Sequence, residues 1–526
     1  MLRVLNTQTR TKEDFSPLDP AGRSVRIYTC GPTVYDSLHL GHARAGVVPD
    51  VVRRYLEHQG YQVRYVTNLT DVDDKILKRA LAEKRAWREI AATYSDEFHR
   101  VMALLNVKPA DAYPRATDHV PEMLEIVKRL LDGQHAYVAR DGDIYFDTAS
   151  YARYGALSGR RLEEEEAGLS GRVSRARIEV KKNPGDFVLW KLNRNDPDEW
   201  KAAGPSIPHW PSPWGDGRPG WHLECSAMSH KYLGVPFDIH CGGMDLVFPH
   251  HEDEKAQTEC AYPELLQGRE SVRYWIHNAF VNVKARPQDG ALSAEVLDAE
   301  SGSVKMSKSL GNVLWLRQMI RPEGPCDPMA VRMMLLSSHY RSPIIFEPGL
   351  LDEAIARLDR LYNSLEASAR AAANLAWDGN WRDAAGRAHR LADLAAAASN
   401  SFHDAMDDDF NTAGALAAIF DLAGELNRAV AAGSQGMEEA WRRGLAGAAA
   451  TAKQLLGVLG IRAERAARGG SQDSDALVEL LLRLRQEARQ GKLFALADHA
   501  REGLAKLGYQ VEDLPGGRWT VKKRGP

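Results

Sequence analysis

The stretch "YTCGPTVYDSLHLGHAR", residues 28–44, joins a strand pattern to a helix pattern. Before it, residues 25–29 alternate polar and apolar side chains, which predicts a strand. After it, residues 40–59 have the pattern of a helix that Gly60 ends, and residues 61–71 predict a second strand. A strand, a helix and another strand in this order form a βαβ unit, so we expect a parallel sheet with ligands at the strand ends.

Length and composition predict a large globular protein. The chain has 526 residues, 44% of them hydrophobic and 26% charged, which suggests about three or four domains with real cores. No apolar leader and no run of ~18 apolar residues is visible, so we expect a cytoplasmic protein without a membrane partner. The net charge of −3 excludes a polycation, so a nucleic-acid partner would need local basic patches.

The cysteine content argues against a disulfide framework. An odd, sparse set in a large cytoplasmic chain leaves metal binding, chemistry or plain burial as the open options. The five cysteines are Cys30, Cys225, Cys241, Cys260 and Cys326.

The first two thirds of the chain read as a sheet domain with an insertion. Pro49 should kink the first helix or move its start downstream, and residues 72–108 have a charged helical pattern. Residues 141–220 look irregular and are interpreted as an insertion between two halves of the sheet domain. Residues 237–248 predict another strand and turn, and residues 249–261 a helix that opens with a proline and acidic groups.

Beyond residue 347 the composition favours helices. One helix face is marked by Leu351, Ile355, Leu358, Tyr362 and Leu365. Residues 462–476 look like a linker, followed by a helix over about 475–508 and two short strands around a Gly-Gly turn. We therefore expect an α/β protein, with a Rossmann-type parallel-sheet catalytic domain, an α-helical bundle and a small mixed α/β C-terminal unit. The sheet domain is expected at 1–345, with an insertion at about 110–220 and, at about 285–345, the loop that contains "KMSKS" and a region for contact with a nucleic-acid stem. The helical bundle is expected at 346–462 and the C-terminal unit at 475–526.

Two motifs could hold phosphate. His39 and His42 share one face of a helix start, where unpaired N–H groups and the helix dipole attract anions, and Gly41 lets a ligand approach the backbone. The alternative is that both histidines only cap and pack the helix. Lys305 and Lys308, in "KMSKSLGN", are compact charges suited to phosphate, although such lysine pairs are usually solvated surface.

Together these motifs resemble a known family. "HLGH" followed by "KMSKS" is similar to the paired motifs of class I aminoacyl-tRNA synthetases. "YTCGPTVYD", "NLTDVDDKI", "PGDFVLWK", "RPGWHLECSAM", "FPHHEDEKAQ" and "MDDDFNT" narrow the resemblance to the cysteinyl-tRNA synthetase family, over nearly the whole length. Two features depart from the family pattern: Cys241 stands where a glycine is expected, and the segment 286–303 is longer.

The resemblance implies a zinc site at Cys30, Cys225, His250 and Glu254. His250 and Glu254 lie four residues apart on an expected helix and should project to one point, although His251 is locally as eligible as His250. Two thiolates, an imidazole and a carboxylate make a plausible Zn²⁺ shell. A pocket that recognises shape alone would separate cysteine from serine by only roughly 1–3 kcal/mol of binding free energy. Zinc can add to this difference, because it prefers a thiolate to an un-ionised alcohol.

The resemblance also implies the reaction and its partners. L-cysteine and ATP, with Mg²⁺, would form cysteinyl-adenylate, and the cysteine would then pass to tRNA(Cys), the enzyme acting as a monomer. His39, Gly41 and His42, together with Lys305 and Lys308, would bind ATP, and the histidines and lysines would stabilise the transition state. The family pattern assigns the amino-acid pocket to Thr70, Trp221, His240 and Asp245.

Other functions remain as alternatives. A cysteine ligase that acts on a small aminosugar acceptor would share the zinc and adenylate chemistry but would lack a full anticodon-reading C-terminus. A simpler nucleotidyltransferase would not need four zinc ligands, and an inactive scaffold would have broken motifs. A persulfide activity with pyridoxal phosphate is also left open by the lysine pairs.

Overall fold

A computed structural model describes most of the chain. The described residues are 1–160, 180–285, 297–298, 302–306, 310–320, 326–372, 387–432, 438–465, 481–482, 484–485, 487–489, 493–506, 509–514 and 518–523. Two compact units are distinguished by their internal contacts. One contains Met1–Arg317 and Pro328–Ala463, and the other contains Gln318–Asp327 and Glu464–Pro526.

Helices and strands alternate through the first part of the chain. The strands are β1 Arg3–Asn6, β2 Thr11–Asp14, β3 Ser24–Thr29, β4 Gln62–Thr67, β5 Ala136–Val138, β6 Ile144–Phe146, β7 Phe187–Leu192, β8 Gly217–Pro219, β9 Phe237–Gly243, β10 Val272–Asn278, β11 Val281–Lys284, β12 Leu297–Asp298, β13 Ser303–Lys305, β14 Ile344–Phe346, β15 Tyr509–Leu514 and β16 Arg518–Lys523. The helices are α1 Leu40–His58, α2 Asp74–Glu83, α3 Trp87–Leu104, α4 Val120–Asp132, α5 Asp198–Ala203, α6 Trp221–Leu233, α7 Glu252–Ala261, α8 Pro263–Leu266, α9 Leu316–Met319, α10 Pro328–Leu336, α11 Pro348–Ala371, α12 Arg387–Asp407, α13 Thr412–Ala432, α14 Glu438–Val458 and α15 Phe494–Lys506.

The central sheet is parallel, as predicted. Its four strands lie in the order β10-β9-β3-β4, and in the register Tyr28 lies between Val66 and His240. All seven residues of β9 except the last are buried, as expected for a strand covered on both faces. The carboxyl ends of β3 and β9 therefore meet at one edge, which is where ligands bind in such folds.

Helix α1 makes the crossover from β3 to β4 and packs its apolar face on the sheet. Val47, Val51 and Tyr55 are buried, and each buried side chain of this size contributes roughly 1.5–3 kcal/mol. The helix begins at Leu40, as predicted, and continues through Pro49 to His58. The expected alternative, that the proline moves the start downstream, is wrong.

The segment between β4 and β9 contains regular structure that the sequence did not predict. Strands β5, β6, β7 and β8 form an antiparallel sheet in this order, so the interpretation of residues 141–220 as irregular is wrong for its described part. These strands have three to six residues, too short for a clear alternating pattern. The run "EEEE" at 163–166 lies outside the described residues.

Helices dominate the chain after residue 347. Helix α11 buries Leu358, Tyr362 and Leu365 of the predicted face, while Leu351 and Ile355 lie at its margin. The C-terminal strands β15 and β16 pair antiparallel, as predicted, and their turn lies outside the described residues. The predicted fold class is confirmed. No helix in the described parts of the chain has the length and apolar character that crossing a membrane requires.

Candidate active site

A cavity of about 370 Å³ opens at the carboxyl ends of the parallel strands. Cys30, which follows β3, lines it together with His39 and His42 at the start of α1. Trp221 and Asp245 contribute to the same wall. One space therefore contacts both the predicted phosphate motif and one of the predicted metal ligands.

The histidines of "HLGH" form the N-terminal cap of α1. His39 Nδ1 accepts a hydrogen bond from Gly41 N at 3.1 Å, and His42 Nδ1 accepts one from His39 N at 3.2 Å. Their rings stack with centroids 3.7 Å apart. The capping alternative is thus correct as a description of contacts, and it also fixes two imidazoles beside the cavity at a helix N-terminus.

Two glycines at this edge lie where an added Cβ would crowd neighbouring atoms. A Cβ on Gly31 would lie 1.7 Å from the Asn68 carbonyl oxygen, and the Gly31 N–H donates to Asn68 Oδ1 at 2.9 Å. A Cβ on Gly41 would lie 3.0 Å from His39 Cε1. Both glycines therefore keep the backbone close to its neighbours at the cavity.

The lysine motif lies only partly within the described residues. Lys305 ends β13, of which only the backbone is described at this position, and Lys308 lies outside the described residues. Met306 lines the cavity. Downstream, Leu40 N donates to Leu314 O at 3.0 Å, so the described chain on both sides of the motif lies beside "HLGH".

The four predicted metal ligands are brought together. Cys30 Sγ lies 3.5 Å from Cys225 Sγ and 3.2 Å from Glu254 Oε1, and His250 Nε2 lies 2.9 Å from Glu254 Oε1. All four donor atoms lie within 4.8 Å of one another. In a tetrahedral zinc site with bonds of about 2.0–2.3 Å, donor atoms are separated by roughly 3.5 Å, so the group fits this metal.

Different elements supply these ligands. Cys30 follows β3, Cys225 lies on the second turn of α6, and Glu254 lies in the first turn of α7. His250 belongs to a kinked turn, Val247–His251, in which Phe248 has extended backbone angles (φ −139°, ψ 133°). The predicted helix over 249–261 is regular from Glu252 onward, because this turn occupies the residues before it.

A second group overlaps the first and was not predicted. His240 Nε2 lies 3.4 Å and His251 Nε2 lies 3.3 Å from Cys30 Sγ, and these three residues form a possible metal group with Glu254. His251 Nδ1 lies 2.7 Å from His277 Nε2. The number of histidines between residues 222 and 277 was the available sequence signal.

Burial controls the ionisation of this cluster. It raises the pKa of the Cys30 thiol well above its usual range, and the adjacent Cys225 and Glu254 raise it further. Burial likewise raises the pKa of Glu254 and lowers the pKa of His240 and His251. Several acidic groups crowded in a buried space are stabilised in their charged form by a cation.

The four residues predicted to bind the substrate amino acid do not all line the cavity. Trp221 stacks on His250 with ring centroids 4.0 Å apart, and Asp245 is exposed at the cavity. His240 is buried against Cys30 and stacks on Trp275. Thr70 is buried behind the cavity, where its Oγ1 accepts a hydrogen bond from Asn68 Nδ2 at 3.3 Å.

Cys241 points away from the metal cluster. Successive residues of a strand face opposite sides, and His240 faces Cys30, so Cys241 faces the core beside Thr29. Burial raises the pKa of Cys241 to about 12. This cysteine is a neutral core residue, while most of the longer segment 286–303 lies outside the described residues.

Comparisons with known proteins agree with this arrangement. The family profile of the class I (C) tRNA synthetase catalytic domain matches residues 16–356, and that of the DALR domain matches residues 401–464. The solved Mycobacterium tuberculosis methionyl-tRNA synthetase bound by methionyl-adenylate has a TM-score of 0.57 at 17% sequence identity. The match covers 83% of this chain and 92% of that chain, and at this identity it supports the fold alone.

Two curated relatives match over their full length. The cysteine–tRNA ligase of Thermococcus onnurineus is 42% identical over 530 residues, covering 99% of each chain. The cysteine–tRNA ligase of Heliobacterium modesticaldum is 44% identical over 524 residues, covering 98% of this chain and 99% of that one. The chain therefore belongs to the class I tRNA synthetases, and within them to the cysteine–tRNA ligase family.

Proposed function

We propose that this protein activates L-cysteine with ATP and transfers it to the 3′ end of tRNA(Cys). The observation that supports this most is the shared cavity of about 370 Å³. One side of it reaches the thiol end, the group of Cys30, Cys225, His250 and Glu254, through Cys30, which lines the cavity. The other side, the nucleotide end, is the "HLGH" turn at residues 39–42. Two substrates that must react with each other would meet in one space.

The protein contributes positioning and charge stabilisation, because the substrates supply the reacting groups. The carboxylate of cysteine attacks the α-phosphorus of ATP, the bond to the bridging oxygen breaks, and pyrophosphate leaves with its electrons. Holding both reactants in contact lowers the barrier by roughly 7–11 kcal/mol. His39 and His42 face the phosphates from the start of α1, where the helix dipole also favours negative charge.

Lys305 and Lys308 would stabilise the departing pyrophosphate. Negative charge builds on it mainly in the transition state, so binding it there accelerates the reaction. The described residues Met306 and Leu314, on either side of Lys308, lie beside the nucleotide end. Mg²⁺ would accompany ATP, as it usually does in phosphoryl chemistry.

Zinc is the metal that the thiol end suits best. Its donor set of two thiols, one imidazole and one carboxylate matches the preference of zinc for nitrogen and sulfur. When bound, zinc supplies a preference for a thiolate over an un-ionised hydroxyl. Trp221 would close the pocket around a small side chain, and Asp245 would pair with the substrate ammonium. Thr70 and His240 would support this wall from behind.

Transfer to tRNA completes the reaction. The 2′-hydroxyl of the terminal ribose attacks the mixed anhydride, and AMP leaves. Residues 346–462 and 475–526 would carry the tRNA, as the sequence predicts, with "RWTVKKR" at 518–524 offering basic and aromatic groups for phosphates and bases. Relatives that match 98–99% of the chain are named cysteine–tRNA ligases, which supports tRNA over an aminosugar acceptor. Action as a monomer in the cytoplasm stays a prediction.

The direct test is cysteine-dependent exchange of pyrophosphate into ATP, with serine as competitor, followed by acylation of tRNA(Cys) and of a small aminosugar acceptor. We expect exchange with cysteine, little with serine, and transfer to tRNA alone. Exchange without any tRNA acylation would contradict the second step, and equal exchange with serine would contradict the selection of the thiol.

A lysine variant tests the phosphate loop. Lys308→Ala should slow the exchange strongly while the melting temperature hardly moves. Lys284→Ala is the matched control, because Lys284 pairs with Glu347 at an exposed site and lies outside the cavity wall. Equal exchange in both variants would argue that Lys308 is ordinary solvated surface.

A further inference from the structure

A row of polar contacts leads to the back of the His250 ring. His250 Nδ1 lies 2.9 Å from His222 Nδ1, and His222 Nε2 lies 3.3 Å from Asp253 Oδ2. The Tyr154 hydroxyl donates to Asp253 Oδ1 at 2.6 Å. Three residues that the proposed reaction does not use are therefore linked to one proposed metal ligand.

These contacts favour one position for the hydrogen of neutral His250. A carboxylate attracts N–H groups and only accepts hydrogen bonds, so the position facing Asp253 Oδ2 at 3.3 Å favours the hydrogen of neutral His222 on Nε2. The Nδ1 atoms of His222 and His250 lie 2.9 Å apart, so one hydrogen lies between them. Because neutral His222 carries its hydrogen on Nε2, His222 Nδ1 is the acceptor. His250 Nδ1 must then be the donor. Without a metal, Glu254 Oε1 at 2.9 Å would draw a hydrogen to His250 Nε2. The contact with His222 opposes this and leaves the lone pair of neutral His250 on Nε2 for a metal.

Packing holds the two rings in this orientation. Trp221 stacks on His250 with an interplanar angle of 22°, and Phe187 places its ring edge against His222 at 5.6 Å. Gln257 Nε2 donates to His222 O at 2.9 Å and fixes the backbone. Each ring therefore packs against an aromatic neighbour that holds its plane.

We propose that His222 and Asp253 are positioning residues that hold His250 in the Nδ1–H tautomer, so that Nε2 faces the metal. This inference rests on the proposed metal group at the thiol end. Partners behind a metal-binding histidine typically change metal affinity by roughly 10- to 100-fold. His222 and Asp253 therefore set how firmly zinc is held without touching it.

Zinc affinity, measured by competition with a chromophoric chelator, tests the proposal without any activity assay. His222→Leu removes the acceptor at similar volume and should weaken zinc binding roughly 10- to 100-fold. His222→Asn places an amide oxygen near the position of Nδ1 and should bind zinc roughly ten times more tightly than His222→Leu. Asp253→Asn should also weaken binding, because the amide nitrogen can donate to His222 and reverse the chain. Melting of the metal-free forms controls for folding.

Two results would overturn the proposal. Zinc affinity of His222→Leu and Asp253→Asn equal to that of the wild type would show that the chain does not act on His250. His222→Asn as weak as His222→Leu, at equal melting temperature, would reduce the role of His222 to ring packing. Failure of the wild type itself to bind zinc would instead contradict the metal group, so the two inferences fail separately.

Discussion

The thiol end of the cavity is assembled from three separate stretches of the chain, whereas the nucleotide end uses four consecutive residues at the start of one helix. Cys30 and Cys225 are 195 residues apart in the sequence, and Cys225 and His250 are each 1% exposed. His39 and His42 cap α1 and remain half-buried beside the open cavity. One end is therefore a buried cluster that depends on the whole fold, and the other is a local motif that depends on one helix start.

This difference predicts that a single ligand change at the thiol end has the largest effect. Cys225→Ser should reduce bound zinc and lower cysteine-dependent exchange more than about 100-fold, since losing only a partner behind a ligand already costs 10- to 100-fold in affinity or activity. Zinc content and exchange rates check it. Cys326→Ser is the control, because Cys326 is buried in another part of the chain, where its thiol donates a hydrogen bond to Met319 O at 3.1 Å.

The same variant separates the two overlapping groups. Retention of one zinc and wild-type exchange by Cys225→Ser would mean that the metal is held by Cys30, His240, His251 and Glu254 instead.

At the nucleotide end, capping and catalysis can be separated. His39→Asn keeps a good N-cap residue, so helix stability should change little, but it removes the imidazole from the cavity. We expect exchange to fall roughly 10²- to 10³-fold, as for loss of one stabilising donor, with unchanged zinc content and melting temperature. Wild-type exchange in this variant would show that His39 only caps the helix.

A smaller effect is expected from Gly41→Ala. The new Cβ would lie 3.0 Å from His39 Cε1 and 3.1 Å from its Nδ1, so the ring must shift by a few tenths of an ångström. A misplacement of this kind should lower kcat/KM for ATP roughly tenfold or more and leave zinc binding unchanged. Gly457→Ala, in α14 with open space around the added Cβ, is the control. Equal kcat/KM values for ATP in Gly41→Ala and Gly457→Ala would show that the added Cβ does not displace His39.

The smallest effect concerns the other end of α1, far from "HLGH". His58 Nε2 lies 3.0 Å from His403 Nε2, and burial, followed by the nearby His403, lowers the pKa of His58. The unfolded chain, with a histidine pKa of about 6.5, then binds more protons than the folded protein. Above about pH 6.5 the neutral His58 costs the folded protein no stability. As the pH falls below this value, the unfolded chain gains protons and the free energy of unfolding decreases.

Urea denaturation of the wild type and of His58→Gln, between about pH 5.5 and 7.5, checks this prediction. The variant should lose stability less steeply toward acid while its exchange activity at neutral pH is retained. Parallel stability curves for the two proteins would contradict the proton linkage of His58.

The same contrast explains what the sequence could predict. Local periodicity and helix caps predict β3, the start of α1 at Leu40 and the parallel sheet. The metal group could be chosen only through family resemblance, because no spacing rule joins residues 30 and 225. The sequence did not predict the kinked turn at Val247–His251 or the short strands of the insertion, since tertiary packing sets them and local patterns do not.

The involvement of His222 and Asp253 could not be foreseen either. Nothing in "RPGWHLEC" or "HHEDE" indicates that His222 faces His250 across two elements, a contact that depends on how α6 packs beside the turn before α7. The sequence thus gives the identity of candidate groups, while their partners depend on packing over distances that local patterns do not record.

X-ray absorption at the zinc edge, with L-selenocysteine as the amino acid, shows whether the substrate touches the metal. The side-chain chalcogen of the substrate should contact the metal at the thiol end, beside the bound nucleotide. We expect a zinc–selenium bond that appears with selenocysteine and has no counterpart with serine. A spectrum without any zinc–selenium contact, recorded while selenocysteine is bound and activated, would contradict it.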